Sequence, residues 1–316
     1  MSFTVPALPV PALTTTTSWE AVVEAYLDAA IDSRHTRRAY ERHLRNAFAV
    51  LGVATVSEPS GADLARYRAA VVSSTLAPGS HAQALASLRS FLAWSRTLGA
   101  HRLPSDVVRT ALKTPKAVIR RPYRTLGESD IGTLLTMASM TRDRALLAVL
   151  LGAGLRAAEA VGLDVTDLHD DPEGGLVIAV RRGKGRKDRQ VPVQPDVARL
   201  LLAYLADTGR RLGDPGPLFR AHDRGAAGRE RPRLSTRSVG FLVRRTLERA
   251  GLAAKAISPH ALRHTYAIRA LRAGGNVIAV QKLLGHASVA TTQRYLDHLA
   301  LGELRAVVPP LPLSGS

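Results

Sequence analysis

Apolar residues recur at helical spacing through most of the chain, and the interruptions divide it into two blocks. Thr17 and Glu20 have capping-box spacing, and Trp19, Val22, Val23, Tyr26, Leu27 and Ile31 follow on one face of a predicted helix. Three further helical runs fit 35–51, 61–76 and 80–98, punctuated by Gly52, Pro59-Ser60-Gly61 and Pro78-Gly79-Ser80, with Gly99 ending the last. Their apolar positions, among them Leu44, Phe48, Leu85, Leu88, Phe91 and Leu92, predict the core of a small helical domain over 17–100. Ahead of it, residues 1–16 carry Pro6, Pro9, Pro11 and a run of threonines and read as a flexible tail.

Between 101 and 124 the periodicity stops. Pro104, Pro115 and Pro122 stand among Lys116, Arg120, Arg121 and Arg124, the composition of a linker crossing a charged surface. Thr125 and Glu128 repeat the capping-box spacing and open a second block over 125–300. Helices are predicted at 128–138, 142–151 and 156–162, then short strands at Leu176–Val180 and 191–193 flanking a basic turn. Helices follow at 195–206, 235–250, 260–273, 276–284 and 288–298, leaving 301–316 as a C-terminal tail. The pattern predicts a fold that is mainly α with a small antiparallel β-sheet, in two domains, without a solenoid repeat.

Composition sharpens this. A hydrophobic content of 46% suffices for ordinary cores, and no apolar run is long enough to span a membrane. No charged segment followed by an apolar one opens the chain, so no secretory leader is expected. There is no cysteine, which removes disulfides, thiolate metal sites and a cysteine nucleophile, and is compatible with a reducing cytoplasm. The net charge of +18 is unevenly placed: residues 1–113 hold 12 Lys/Arg against 8 Asp/Glu, residues 114–300 hold 31 against 17. Such an excess attracts polyanions, nucleic acid above all, although the dominance of Arg over Lys also fits a GC-rich genome. The basic residues are dispersed, which argues against a membrane surface.

Within the second block, His260, Arg263 and His264 fall on one helix face. Two histidines four apart can share a metal, but Ala261 stands where a metalloprotease carries Glu, and no third ligand is evident, so no metal is expected. His264 reads as a helix-buried histidine with one hydrogen bond, whereas Arg263 calls for a bound anion or a carboxylate. Gly152 and Gly154 break a helix that restarts at Arg156, where a phosphate would suit the helix start; an ion pair with Glu159 is the competing reading. Gly183 and Gly185 bracket Lys184 in the turn Arg181–Arg189, which reads either as a groove-entering hairpin tip or as a solvated turn. Together the arginines, the lysine, the histidines and Tyr295 make a kit for phosphodiester chemistry. Two guanidinium groups neutralise the transition state, a lysine or histidine protonates the leaving 5′ oxygen, and the tyrosine forms a covalent intermediate with no metal or cofactor.

These residues resemble the tyrosine recombinases, or phage integrases, including the Xer type. Gly154-Leu155-Arg156, Gly183-Lys184-Gly185, His260-Ala261-Leu262-Arg263-His264, Leu284-Gly285-His286 and Thr291-Thr292-Gln293-Arg294-Tyr295 stand in that family's order over about residues 17–300. The resemblance implies that Arg156 and Arg263 clamp the scissile phosphate, Lys184 is the general acid, His260 and His286 support proton transfer, and Tyr295 is the nucleophile. It makes the first domain a SAM-like core-binding domain and the second the catalytic one. It implies a cytoplasmic, nucleoid-associated enzyme acting on double-stranded DNA with short core sites, since only a Pro/Thr tail stands where lambda-type integrases have an arm-binding domain. A tetramer would exchange strands through a four-way junction, with or without an accessory or partner recombinase. Leu299, Leu301, Leu304, Val307 and Val308 would then dock on a neighbouring protomer, or fray. DNA contacts are expected from Arg37, Arg38 and Arg42 on one helix face and from Arg120, Arg121 and Arg186, although such faces are also compatible with mere solvation. The same chemistry admits a type IB topoisomerase-like enzyme, and the same charge a non-catalytic DNA-binding regulator.

Overall fold

Ser18, not Thr17, starts the first helix of the computed structural model: its hydroxyl accepts the Ala21 N–H at 3.4 Å, opening α1 (Trp19–Ala30). The structure describes residues 14–115 (the His35 side chain excepted), 124–172, 174–181, 188–221, 232–255 and 257–285, together with 292 and 295. They fall into two units, 1–120 and 121–316.

In the first unit α2 (Arg34–Leu51) stops at Gly52, whose left-handed φ of 66° turns its N–H back to the Phe48 carbonyl at 2.9 Å. A reciprocal Ser60–Asp63 capping box opens α3 (Gly61–Ser73), and Pro78 opens α4 (Pro78–Thr97). The expected apolar face is the core: Leu44, Phe48, Leu85, Leu88, Phe91 and Leu92 are all buried. Its centre is aromatic, with Trp19 stacked on Phe48 at 5.0 Å and Phe91 edge-on to both Phe48 and Tyr26. The stretch expected as linker is partly structured. α5 (Ser105–Ala111) begins after Pro104 and buries Val108, with Leu112 just beyond, in the same core, because proline at a helix start costs no hydrogen bond.

In the second unit Gly127, not Thr125, precedes α6 (Glu128–Met137), and its N–H donates to Asp130 Oδ2 at 2.9 Å. α7 (Thr141–Gly152) is buried along Ala145–Leu151 and packs against α9 (Pro195–Asp207) and α11 (Pro259–Arg272). Between them lie α8 (Ala157–Gly162) and a three-stranded antiparallel sheet in the order β1 (Leu168–Asp170), β2 (Leu176–Val180), β3 (Arg189–Val193). β1 escaped the sequence pattern because it is short and two of its residues, His169 and Asp170, are polar and exposed. β3 starts earlier than expected, at Arg189, which pairs with Val180. α10 (Thr236–Arg249) and α12 (Val277–Leu284) complete the described α-helices, and short 3-10 turns lie at Val165–Asp167 and Ala253–Lys255. The helix expected at 288–298 lies outside the described residues except for Thr292 and Tyr295, joined by a turn bond from the Tyr295 N–H to the Thr292 carbonyl at 2.9 Å. The predicted C-terminal tail and residues 1–13 of the N-terminal one lie outside them too, whereas the end of the N-terminal tail is tied down: the Thr17 N–H donates to the Thr14 carbonyl at 3.1 Å and the Ser57 hydroxyl to the Thr15 carbonyl at 2.6 Å. No described helix is long and apolar enough to cross a membrane.

Candidate active site

The site begins where α7 ends. A Cβ on Gly152 would meet Val197 at 2.4 Å, and one on Gly154, at φ 63°, would meet the Tyr266 ring at 2.2 Å. Only glycine allows the chain to reverse that close to its neighbours, and the reversal delivers Arg156 to the N-cap of α8. Glu159, one turn on, accepts the Arg156 backbone N–H at 2.8 Å and its Nη1 at 2.7 Å. The helix start is therefore not left open: the protein's own carboxylate serves it, the pairing that competes with a phosphate as a reading of Arg156. Nor is this a surface pair: the Glu159 side chain is 7% exposed, whereas that of Arg156 is 26% exposed and keeps an open edge.

Glu159 is the hub of three arginines. Arg189 binds both of its oxygens, Nη1 to Oε1 at 3.1 Å and Nη2 to Oε2 at 2.9 Å, and Arg263 Nη1 lies 3.7 Å from Oε2. Burial alone would push the Glu159 carboxyl up, but the Arg189 hydrogen bond, the Arg156 N–H and the charges of both arginines outweigh it and bring the pKa down to about 2. Arg263 is 0% exposed. It donates from Nη1 to the Gly154 carbonyl at 2.7 Å and from Nη2 to the Leu284 carbonyl at 2.5 Å, and its Nε has no partner among the described residues. Burial and the nearby Arg156 pull its pKa down to about 10, so it stays cationic at neutral pH. The expectation that Arg263 needs an anion or a carboxylate is half met: the carboxylate is there, but beyond hydrogen-bond length.

α11 carries the histidines. Ser258 caps it and Pro259 opens it, so His260 sits in its first turn, with the His264 ring edge-on at 4.3 Å. His260 is open to solvent, yet the protein around it and the charges of Arg263 and Arg156 hold its pKa below the usual histidine value. His264 Nδ1 is hydrogen-bonded to the Tyr295 hydroxyl at 2.8 Å. Tyr295 is 2% exposed, its ring set among Ala267, Ile268, Leu271, Val280 and Leu284.

The structure thus brings Arg156, Arg263, His260 and Tyr295 to one end of α11, while Lys184 and His286 lie outside the described residues. Arg120, Arg121 and Arg186 do as well. Arg37 is ion-paired to Glu24 and Asp28, both at 2.6 Å, whereas Arg38 and Arg42 are exposed and show no ion pair among the described residues. Three residues went unassigned in the sequence. Glu159 showed only as the pairing partner of Arg156. His264 read as a packing histidine, because its partner lies 31 residues away and no periodicity links them. Arg189 was submerged in a basic run, yet it keeps alternation with the buried Val191 and Val193, which is the signal that could have found it.

Family models match in two places: the phage integrase family over residues 124–301 and the phage integrase N-terminal SAM-like domain over 24–97. The tyrosine recombinase XerC of Rhodospirillum centenum is 36% identical over 282 residues, covering 84% of this chain and 78% of that protein. The tyrosine recombinase XerD of Bifidobacterium longum is 34% identical, covering 82% and 85%. Among solved structures, the Tn1549 transposon integrase in complex with transposon right-end DNA shares the fold at a TM-score of 0.70 and 18% identity, covering 92% of this chain and 98% of that one. The XerH recombinase bound to a palindromic difH substrate does so at 0.69 and 20%, covering 93% and 84%.

Proposed function

Because the chain belongs to the phage integrase family of tyrosine recombinases, we propose that it is a site-specific recombinase that cuts and rejoins DNA through a 3′-phosphotyrosyl intermediate. The observation that carries this is the charge count around Glu159: three guanidinium groups and one carboxylate leave two positive charges beside the Tyr295 hydroxyl group's histidine. A phosphodiester carries one negative charge and its pentacoordinate transition state carries two. The cluster is thus complementary to the transition state more than to the substrate, which is the condition for acceleration.

Arg156 and Arg263 hold the non-bridging oxygens. Tyr295 attacks the phosphorus, passing its proton to a neighbouring histidine, and the bond to the 5′ oxygen breaks as Lys184 protonates that oxygen. His260 and His286 support the proton traffic, and the reverse sequence with a new 5′ hydroxyl reseals the strand. No step calls for a metal or cofactor, since guanidinium groups supply the charge. Arg263 and Tyr295 are buried as they stand, so DNA entry has to uncover them before attack. Duplex DNA with short core sites is the substrate, and four protomers exchange strands through a four-way junction. Arg38 and Arg42, with Arg37 once its surface pairs open, meet backbone phosphates, joined by Arg120, Arg121 and Arg186.

The test uses a duplex selected by the protein from a random pool and nicked next to the scissile bond, so that the released fragment diffuses away. Wild-type protein is expected to accumulate a covalent protein–DNA adduct, and Tyr295→Phe to form none. An adduct that persists in that variant overturns the nucleophile. Rapid relaxation of plasmids lacking the selected site would instead favour a topoisomerase-like activity.

A further inference from the structure

We infer that Arg189 is a positioning residue for strand cleavage, fixing the orientation of the Glu159 carboxylate and the chain that leads into His286. The inference rests on the reading of the site just given. Arg189 is the first residue of β3, five residues after Lys184 in the sequence, and its side chain is 10% exposed. Its guanidinium group is used on two fronts. Nη1 and Nη2 grip the two Glu159 oxygens in the bidentate geometry that fixes a carboxylate plane, and Nε donates to the Leu283 carbonyl at 2.7 Å.

The second front matters because α12 ends there. The last carbonyls of a helix lack intrahelical partners and carry partial negative charge, and two arginines supply what is missing: Arg189 at Leu283 and Arg263 at Leu284. Gly285 then turns the chain at φ 63°, and a Cβ there would stand 2.9 Å from Arg189 Nη1. His286 follows directly in the sequence. One side chain therefore joins the start of β3 to Glu159 in α8 and to the end of α12, which it shares with Arg263.

The first front sets the charge. With its plane fixed by Arg189, the carboxylate points Oε1 and Oε2 at Arg156 and leaves Arg263 Nη1 at 3.7 Å, attracted but not hydrogen-bonded. Released from Arg189, the carboxylate is free to close on Arg263 and neutralise the guanidinium group that must meet the phosphate. A lysine retains the positive charge but offers neither the fork nor the Nε contact, so charge alone does not replace it.

The experiment measures single-turnover adduct formation and DNA affinity on the nicked duplex for wild type, Arg189→Lys, Arg189→Ala, Glu159→Gln and Arg189→Lys with Glu159→Gln. Arg189→Lys is expected to slow cleavage by about 10²-fold, the usual effect of a displacement near 1 Å, with affinity within about threefold of wild type because other phosphate contacts dominate it. The double variant is expected to be slowed far less than the product of the two single effects. Added methylguanidinium is expected to restore part of the Arg189→Ala rate, which a purely structural defect would not allow. Should Arg189→Ala fail to melt cooperatively, Arg189→Lys and the double variant decide. Wild-type rates in Arg189→Lys, multiplying effects, or parallel loss of binding and cleavage would each overturn the inference. Absence of any wild-type adduct would instead strike at the proposed function.

Discussion

The two units bury different things. The first closes around rings and aliphatic chains, Trp19 on Phe48 and Phe91 against Phe48 and Tyr26, and leaves its arginines on the outside, with Arg37 in ion pairs open to water. The second buries charge at its working end: Arg263 is wholly enclosed, and the side chains of Arg189 and Glu159 nearly so. Apolar burial is non-directional and tolerates exchange, whereas a buried ion is stable only with its partners in place. The difference separates a unit held by interchangeable apolar contacts from a candidate site whose stability depends on a few charged atoms.

That difference can be broken, starting with its largest effect. Glu159→Ala leaves three arginines without their shared anion and is expected to cost ~3–5 kcal/mol in denaturant unfolding, together with cleavage. Phe91→Ala is expected to cost a similar ~3–5 kcal/mol, but as a cavity in the first unit, which hydrogen exchange would localise there. Acid is the next probe. The Glu159 pKa is depressed in the folded state, so its contribution is fully present above the ordinary carboxyl value of 4.5 and is lost as the pH falls toward about 2. That contribution is on the order of 3 kcal/mol, and the acid limb of a stability–pH profile should shrink in Glu159→Gln.

Gly154→Ala is expected to destabilise by about 2 kcal/mol or more, because the methyl group meets Tyr266 and the positive φ disfavours it. The smallest effect is on the first unit's surface. Arg37→Ala is expected to change stability by less than about 1 kcal/mol, since its partners are solvated. Arg38→Ala and Arg42→Ala should leave stability unchanged and lower the salt dependence of DNA binding, by about one unit of slope for each phosphate that is no longer neutralised.

Legibility in the sequence followed the same division. Leu44, Phe48, Leu85 and Phe91 announced their burial through helical spacing, because one face of a helix is a local property. Arg156, Arg263 and Tyr295 were legible as residue types in an ordered set. What could not be read was how they are held. Arg263 relies on the Gly154 and Leu284 carbonyls, distant in sequence, and Tyr295 on His264, and such contacts leave no period along the chain. Prolines misled at α5, where Pro104 starts a helix instead of interrupting one. Polar residues hid β1, and a basic run hid Arg189.

The most direct measurement is to digest the trapped protein–DNA adduct with protease and identify the peptide that carries the nucleotide. The linked peptide is expected to contain Tyr295, with phosphate on its hydroxyl and a free 5′ hydroxyl on the released strand. Nucleotide on any other residue, or a 5′ phosphate on the released strand, would contradict the assignment of Tyr295 as the group that the buried charge cluster serves.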